Sequence, residues 1–193
     1  MGRGAMGVTY KALDINLRCP VTLKVISERY LSDESARLRF VREARAAASV
    51  RHPNVASVFH LGRTGGSYFY AMEFVEGETL QNLIKRTGTL EVKLALEIAT
   101  QVAAGLAAIH EQNLVHRDIK PTNILVRLKG EEGSVTVKII DLGLAKTLDE
   151  SASEARISSP GAFVGTPEFA SSDQFGYKSP VRCHLMNGML GEK

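Results

Sequence analysis

The stretch that decides the fold is VHRDIKPTNILV, Val115–Val126. It crowds a histidine, an arginine, an aspartate, a lysine and an asparagine into a short space and then returns to apolar residues. A solvated loop has no need of apolar walls, and a core segment tolerates so many charges only when each has a partner. The stretch therefore predicts a loop beside the core that acts on a bound molecule.

The composition excludes several function classes. The 193 residues are 44% hydrophobic and 23% charged, as in an ordinary soluble globular protein of one large domain or two small lobes. The net charge of +3 is too small to indicate nucleic acid or a membrane surface as a partner. No apolar run is expected to be long enough to span a bilayer, and the start MGRGAMGVTYKA lacks a signal peptide's apolar centre. Cys19 and Cys183 lie far apart, which favours a reduced compartment and so the cytoplasm.

The first part of the chain reads as strands around one helix. Alternating apolar residues predict two strands with a turn at Asp14–Arg18. A helix is then expected to begin at a Ser32 cap and to run to about Val50, because Pro53 stops it. Two further strands are predicted, in VASVFHLG and SYFYAMEFV.

The second part reads as helical. After EGETL the chain is predicted to turn helical, and a repeat every three or four residues predicts one apolar helix face. The residues on that face are Leu90, Leu94, Ile98, Val102, Leu106 and Ile109. Two short strands, ILV and VTVKII, follow, and Ala145–Pro160, which is rich in serine and charge and has no periodicity, is predicted to be a mobile loop.

Two charged residues occur at positions where the sequence pattern predicts apolar residues. Lys24 lies among branched residues in VTLKVI, and Glu43 shares a helix face with Phe40 and Ala47. Each charge is costly alone, but together they can form a buried ion pair, and removing one partner of such a pair costs about 3–5 kcal/mol. The alternative is that Lys24 reaches solvent along a buried stem while Glu43 faces outward.

The glycines near the start suggest a phosphate-binding loop. Gly2, Gly4 and Gly7 match G-x-G-x-x-G, a spacing that lets backbone amides approach phosphate oxygens. A dinucleotide-binding version requires a helix directly afterwards. Here VTYKALD alternates like a strand, which favours a loop between two strands that folds over a nucleotide.

The opening stretch belongs to a cluster of oxygen ligands. A hairpin of ILV and VTVKII would bring Asn123 and Asp141 to the same end, and their amide and carboxylate oxygens suit Mg²⁺. Asp118 is then free to accept a proton from an attacking hydroxyl, and Lys120 could steady the charge on a transferring group. The alternative is that each of these residues only caps a turn.

In order and interval, the motifs resemble the signature of eukaryotic-type protein kinases, especially the bacterial serine/threonine branch. They are GRGAMGV, VTLK, Glu43, HRDIKPTN and DLG. The resemblance implies an α+β, bilobal fold: a small antiparallel-sheet N-lobe at residues 1–76 and an incomplete, mainly helical C-lobe at 77–174. Residues 175–193 would form an atypical tail, either a degraded start of the family's next helix or unrelated sequence, and this tail is expected to be disordered.

The resemblance also implies residue roles. Asp118 would be the catalytic base with Lys120 beside it, and Lys24, oriented by Glu43, would hold the α- and β-phosphates of ATP. The Mg²⁺ ligands would be Asn123 and Asp141. The residues around ATP would be Gly2, Gly4, Gly7 and Val8 in the lid, Lys24, Met72 behind the adenine, Glu73 to Val75 in the hinge, and Leu125 in the floor.

The implied function is transfer of the ATP γ-phosphate to a serine or threonine hydroxyl of a protein substrate. The Lys120-Pro121 pair is typical of serine/threonine kinases. The alternative is a truncated or pseudokinase fragment that binds ATP without catalysis; a small-molecule phosphotransferase fits less well. Arg117 suggests control by phosphorylation of the following loop. The candidate positions there are Thr147, Ser151, Ser153, Ser158, Ser159 and Thr166, of which Thr166 is expected instead to lie against the catalytic loop.

Overall fold

A computed structural model describes residues 2–3, 7–26, 30, 33–129, 134–142, 146–147 and 166–170. Several sequence predictions fall outside these residues. They concern Gly4, the candidate serines between 151 and 159, most of the predicted loop at 145–160, and the tail at 175–193.

The first part of the chain forms one antiparallel sheet in the order β1-β2-β3-β5-β4. The strands are β1 Gly2–Arg3, β2 Gly7–Asp14, β3 Cys19–Ile26, β4 Val58–Thr64 and β5 Ser67–Glu73. The turn between β2 and β3 lies where it was predicted. It forms because the Asp14 carboxylate accepts the backbone N–H groups of Asn16 and Leu17, both at 2.9 Å.

One helix, α1 (Glu34–Ser49), packs against this sheet. Its cap is Asp33, whose carboxylate accepts the Ala36 N–H at 3.0 Å, so the prediction of Ser32 as the cap is wrong. The predicted apolar face is confirmed. Its buried residues are Ala36, Phe40, Glu43, Ala44 and Ala47.

The second part combines two helices with short strands. Its elements are β6 Glu78–Thr79, α2 Leu80–Thr87, α3 Val92–Glu111, β7 Leu114–Val115, β8 Ile124–Lys129, β9 Ser134–Ile139 and β10 Lys146–Thr147. Strands β6, β8 and β9 form an antiparallel sheet, and β10 pairs with β7. The predicted loop at 145–160 therefore carries a short strand at its start, which corrects that prediction. The arrangement confirms an α+β fold.

Helix α3 is the longer helix of this part. Ile98, Val102, Leu106 and Ile109 are buried as predicted, while Leu90 and Leu94 pack against the core from its edge. By length and composition alone α3 could cross a membrane, so the expectation that no run is long enough was wrong. In the fold, the buried face of α3 packs on β9.

The segment after α1 joins the two parts. The Asn54 carbonyl accepts the Ile139 N–H at 2.8 Å, and the Ala56 N–H donates to the Ile139 carbonyl at 2.9 Å. Gly105 of α3 faces the same point, because an added Cβ would lie 2.9 Å from Ile139 Cδ1 and 3.0 Å from the Asn54 carbonyl oxygen. Helix, linker and strand β9 therefore approach closely, and one core runs through both parts.

Two amides complete this junction. Asn54 Nδ2 donates to Gln101 Oε1 at 3.0 Å and to the Val137 carbonyl at 2.8 Å. Gln101 in turn accepts the Val137 N–H and donates to the Val135 carbonyl, both at 2.9 Å. The two side chains thus satisfy backbone groups on the outer edge of β9.

Replacing Gln101 with leucine is expected to lower the free energy of unfolding by about 2–3 kcal/mol. Leucine leaves the Val137 N–H, the Val135 carbonyl and one Asn54 bond without a partner, and unsatisfied groups cost about 1–3 kcal/mol when they are buried. Urea unfolding of both proteins measures the change. Gln112→Leu, at an exposed position just after α3, is the matched control. A difference of less than about 0.5 kcal/mol between the two variants would contradict the prediction.

Candidate active site

Lys24 and Glu43 form the predicted buried pair. Lys24 Nζ on β3 lies 2.6 Å from Glu43 Oε1 on α1, and their side chains are 11% and 1% exposed. The alternative, in which the two charges face solvent separately, is therefore excluded. Lys24 Nζ also lies 3.0 Å from Asp141 Oδ1, so it bridges two carboxylates that come from distant parts of the chain.

The charges of this cluster perturb one another. Burial lowers the pKa of Lys24, but the carboxylates of Glu43 and Asp141 outweigh burial, and the pKa is raised. Burial raises the pKa of Glu43 more than Lys24 lowers it. Burial also raises the pKa of Asp141, but Lys24 prevails and the net pKa is lowered. Asp141 is thus an ionised carboxylate, and its side chain is 42% exposed and open to a ligand.

Asp118 lies in a second cluster with Lys120 and Thr166. Asp118 Oδ1 accepts from Thr166 Oγ1 at 2.7 Å, and Oδ2 lies 2.7 Å from Lys120 Nζ. Lys120 Nζ also donates to Thr166 Oγ1 at 2.8 Å. Thr166 therefore lies against the predicted catalytic segment around Asp118, as expected, and Thr166 and Lys120 together fix the direction of the Asp118 carboxylate.

Asn123 connects the two clusters. It ends the short turn Pro121–Asn123, is buried, and donates from Nδ2 to the Asp118 carbonyl at 2.9 Å and to Asp118 Oδ2 at 3.2 Å. Its own carbonyl accepts the Ile140 N–H at 2.9 Å, directly before Asp141. The β8–β9 hairpin thus brings Asn123 and Asp141 to the same end, as predicted.

The backbone is strained on both sides of this hairpin end. Arg117 has φ of 63° and Asp141 has φ of 64°, in the left-handed region that residues with a side chain rarely adopt. Such conformations cost about 1–3 kcal/mol each and persist where the surrounding structure demands them. Here these two backbone conformations set the path of the chain just before Asp118 and at Asp141.

The residues predicted to surround a nucleotide lie along the sheet and the hinge. Met72 on β5 pairs with Thr22 on β3, two residues from Lys24. Glu73 accepts from Lys138 Nζ at 2.8 Å, and Val75 is half-buried just beyond β5. Leu125 pairs with Lys138 across β8 and β9, so the Lys138–Glu73 ion pair holds the predicted floor beside the predicted hinge.

The residues of the predicted lid lie on strands next to β3, which carries Lys24. Gly2 pairs with Thr9 on the β1–β2 hairpin, and Val8 pairs with Val25 on β3. Gly7 is required by packing, because an added Cβ would lie 2.5 Å from the Val25 carbonyl oxygen. The lid strands are therefore in register with the strand that carries Lys24.

Sequence reasoning missed His116, which is almost fully buried. Its Nδ1 accepts the Asp118 N–H at 3.3 Å, so the imidazole supports the predicted catalytic segment around Asp118. Burial lowers its pKa to about 4, and the ring is neutral at pH 7. The charged stretch around His116 carried no signal that distinguished a buried histidine from an exposed one.

His116 is expected to make folding stability depend on pH. An unfolded histidine has a pKa near 6.5, so between about pH 6.5 and 4 the unfolded chain binds the extra proton and stability falls as pH falls. The contribution is fully present above pH 6.5 and amounts to about 3 kcal/mol, at 1.36 kcal/mol per pKa unit. Urea unfolding at several pH values should show that acidification lowers the free energy of unfolding less for His116→Gln than for the unmodified chain. Parallel curves for the two would contradict the assignment.

Comparison with known proteins agrees with this geometry. The family described as protein kinase domain matches residues 1–180. The chain is 37% identical to serine/threonine-protein kinase pkn3 of Myxococcus xanthus over 90% of its own length and 32% of the relative's. It is 37% identical to PrkC of Bacillus subtilis, over 90% of this chain and 26% of PrkC. It is also 37% identical to PknL of Mycobacterium tuberculosis, over 89% of this chain and 41% of PknL.

These relatives are all serine/threonine-protein kinases by name, and the chain spans between about a quarter and two fifths of their length. The match to the family covers both the sheet that carries Lys24 and the loop that carries Asp118. The chain belongs to the protein kinase domain family.

Proposed function

We propose that this chain catalyses transfer of the γ-phosphate of ATP to a serine or threonine hydroxyl of a protein. The observation that supports this most directly is the meeting of two clusters: Glu43–Lys24–Asp141, and Thr166–Asp118–Asn123. The first is suited to hold phosphates and the second to handle a hydroxyl. Membership of the kinase family supports the same reaction.

Asp118 is the base of the proposed reaction. Its carboxylate accepts the proton of the substrate hydroxyl, and the Thr166 and Lys120 contacts hold it in one orientation. Lys120 is close enough to Asp118 to offset negative charge on the transferred group as well. Phosphoryl transfer depends mostly on such positioning and charge stabilisation.

Asn123 and Asp141 would hold Mg²⁺. Their side chains offer an amide and an ionised carboxylate, the oxygen donors that this cation prefers, and the exposed Asp141 carboxylate can be reached from solvent. When bound, the cation neutralises charge on the β- and γ-phosphates. Lys24 would hold the α- and β-phosphates, since Glu43 and Asp141 keep its ammonium at the site.

The remaining predicted site residues would surround the nucleotide. Gly2, Gly4, Gly7 and Val8 would cover ATP, Met72 and the hinge from Glu73 to Val75 would receive the adenine, and Leu125 would lie beneath it. The register of β1–β3 and the Lys138–Glu73 ion pair support this placement.

We also propose a cytoplasmic location for the chain. The widely separated cysteines support this proposal, and cell fractionation tests it.

The test is direct transfer of label. The purified chain is incubated with γ-labelled ATP, Mg²⁺ and a general protein substrate, with and without a chelator, and phosphoamino acids are identified. Label on serine and threonine that disappears with the chelator supports the proposal. Thermal stabilisation by ATP and Mg²⁺ without any label would instead support an ATP-binding chain without catalysis.

A further inference from the structure

Tyr70 contacts the Lys24–Glu43 pair from the sheet. It lies on β5 directly opposite Lys24 on β3, and the residue is 2% exposed. Its hydroxyl donates to Glu43 Oε1 at 2.5 Å. The Tyr70 ring packs against Phe40, with 5.2 Å between ring centroids, so the ring itself is held in place.

The hydroxyl is not needed for packing. Phenylalanine would fill the same space beside Phe40, whereas a buried hydroxyl is costly unless it has a hydrogen-bond partner. Glu43 supplies that partner. The pKa of Tyr70 is raised well above its ordinary value, by burial first and by the neighbouring carboxylates next, so the group remains a donor.

Glu43 depends on few donors. Its Oε1 receives both Lys24 and Tyr70, while within the described residues Oε2 is buried without a hydrogen-bond partner. Of the two donors to Oε1, only Lys24 would remain without the Tyr70 hydroxyl. A single ammonium on a long side chain fixes a direction less well than two converging donors.

We propose that Tyr70 is a positioning residue, whose hydroxyl holds Glu43 in the orientation that keeps Lys24 at the phosphate site. This rests on the proposed function. Tyr70 belongs to the sheet and Glu43 belongs to α1, so their hydrogen bond ties the helix to the sheet at the level of Lys24. This hydrogen bond therefore determines the fraction of time for which the Lys24 side chain is extended toward Asp141.

A double-mutant cycle tests whether Tyr70 acts through Glu43. Tyr70→Phe is expected to lower kcat/KM for ATP about tenfold, in line with the loss of a hydrogen bond to a charged group. In the Glu43→Leu background, where no acceptor for the hydroxyl remains, the same change should cost less than about twofold. Tyr68→Phe is the matched control: it removes a hydroxyl from the same strand, where the ring lies under Arg63. Equal losses in both backgrounds would overturn the inference.

A second readout needs no catalysis. Lys24 of the ligand-free chain is labelled with an amine-specific reagent, and the modified peptide is quantified by mass spectrometry. Tyr70→Phe should raise the labelling rate of Lys24 several-fold, and Tyr68→Phe should leave it unchanged. In the Glu43→Leu background, Tyr70→Phe should cause no further increase. Unchanged labelling in Tyr70→Phe overturns the inference even if the chain transfers phosphate. The expected labelling pattern in a chain that transfers none overturns the proposed function instead and supports the positioning contact.

Discussion

Replacing Asp118 with asparagine is expected to lower the rate of phosphoryl transfer by about 10²–10⁴-fold, the usual contribution of a positioned base. Asparagine has nearly the same shape but cannot accept the proton of the substrate hydroxyl. Its amide oxygen can still accept from Thr166, although the Oδ2 contacts with Lys120 and Asn123 are lost. The backbone N–H and carbonyl of residue 118 keep their bonds to His116 and Asn123, so the loop should keep its form. The loss should therefore appear in kcat, with little change in the KM for ATP.

Initial rates at saturating ATP and Mg²⁺ measure this effect. Asp33→Asn is the matched control, because it makes the same chemical change at the α1 cap, where asparagine caps as well as aspartate does. Thermal stabilisation by ATP and Mg²⁺ should be similar in both variants. A rate within tenfold of the unmodified chain would show that Asp118 is not the base.

The Lys24–Glu43 contact could be predicted because each charge interrupts a regular apolar pattern. A lysine in an apolar strand and a glutamate on an apolar helix face both require a partner of opposite charge. Each of the two residues can be that partner for the other. The hairpin that joins Asn123 to Asp141 was predictable for a similar reason. Two short strands separated by a polar turn pair with each other, and their outer ends must then meet.

Other contacts could not be predicted from local patterns. Alternation along SYFYAMEFV indicates that Tyr70 faces inward, but it does not indicate which atom the hydroxyl meets on another element. The Asn54–Gln101 bond joins residues 47 positions apart, across a linker and a helix. Ser32 and Asp33 have nearly equal capping tendencies, so only the backbone path distinguishes them.

Lys24→Met is expected to lower both activity and stability. Activity should fall by about 10²–10³-fold, as when one preorganised donor to a developing charge is removed. The free energy of unfolding at neutral pH should fall by about 3–5 kcal/mol, because Glu43 is left as a buried carboxylate without its cation. Lys11→Met is the matched control, since Lys11 is an exposed lysine on the neighbouring strand with its ammonium 4.3 Å from the Phe74 ring centroid.

The pH dependence of that stability loss separates charge from packing. Burial already raises the pKa of Glu43, and removal of Lys24 raises it further, so the variant takes up a proton at Glu43 on mild acidification. The native variant then binds more protons than its unfolded chain, and its stability relative to the unmodified protein must recover as pH falls. Urea unfolding of both proteins at several pH values between 8 and about 5 measures this recovery. A deficit that stays constant with pH would mean that Lys24 stabilises the fold through its packed stem rather than through its pairing with Glu43.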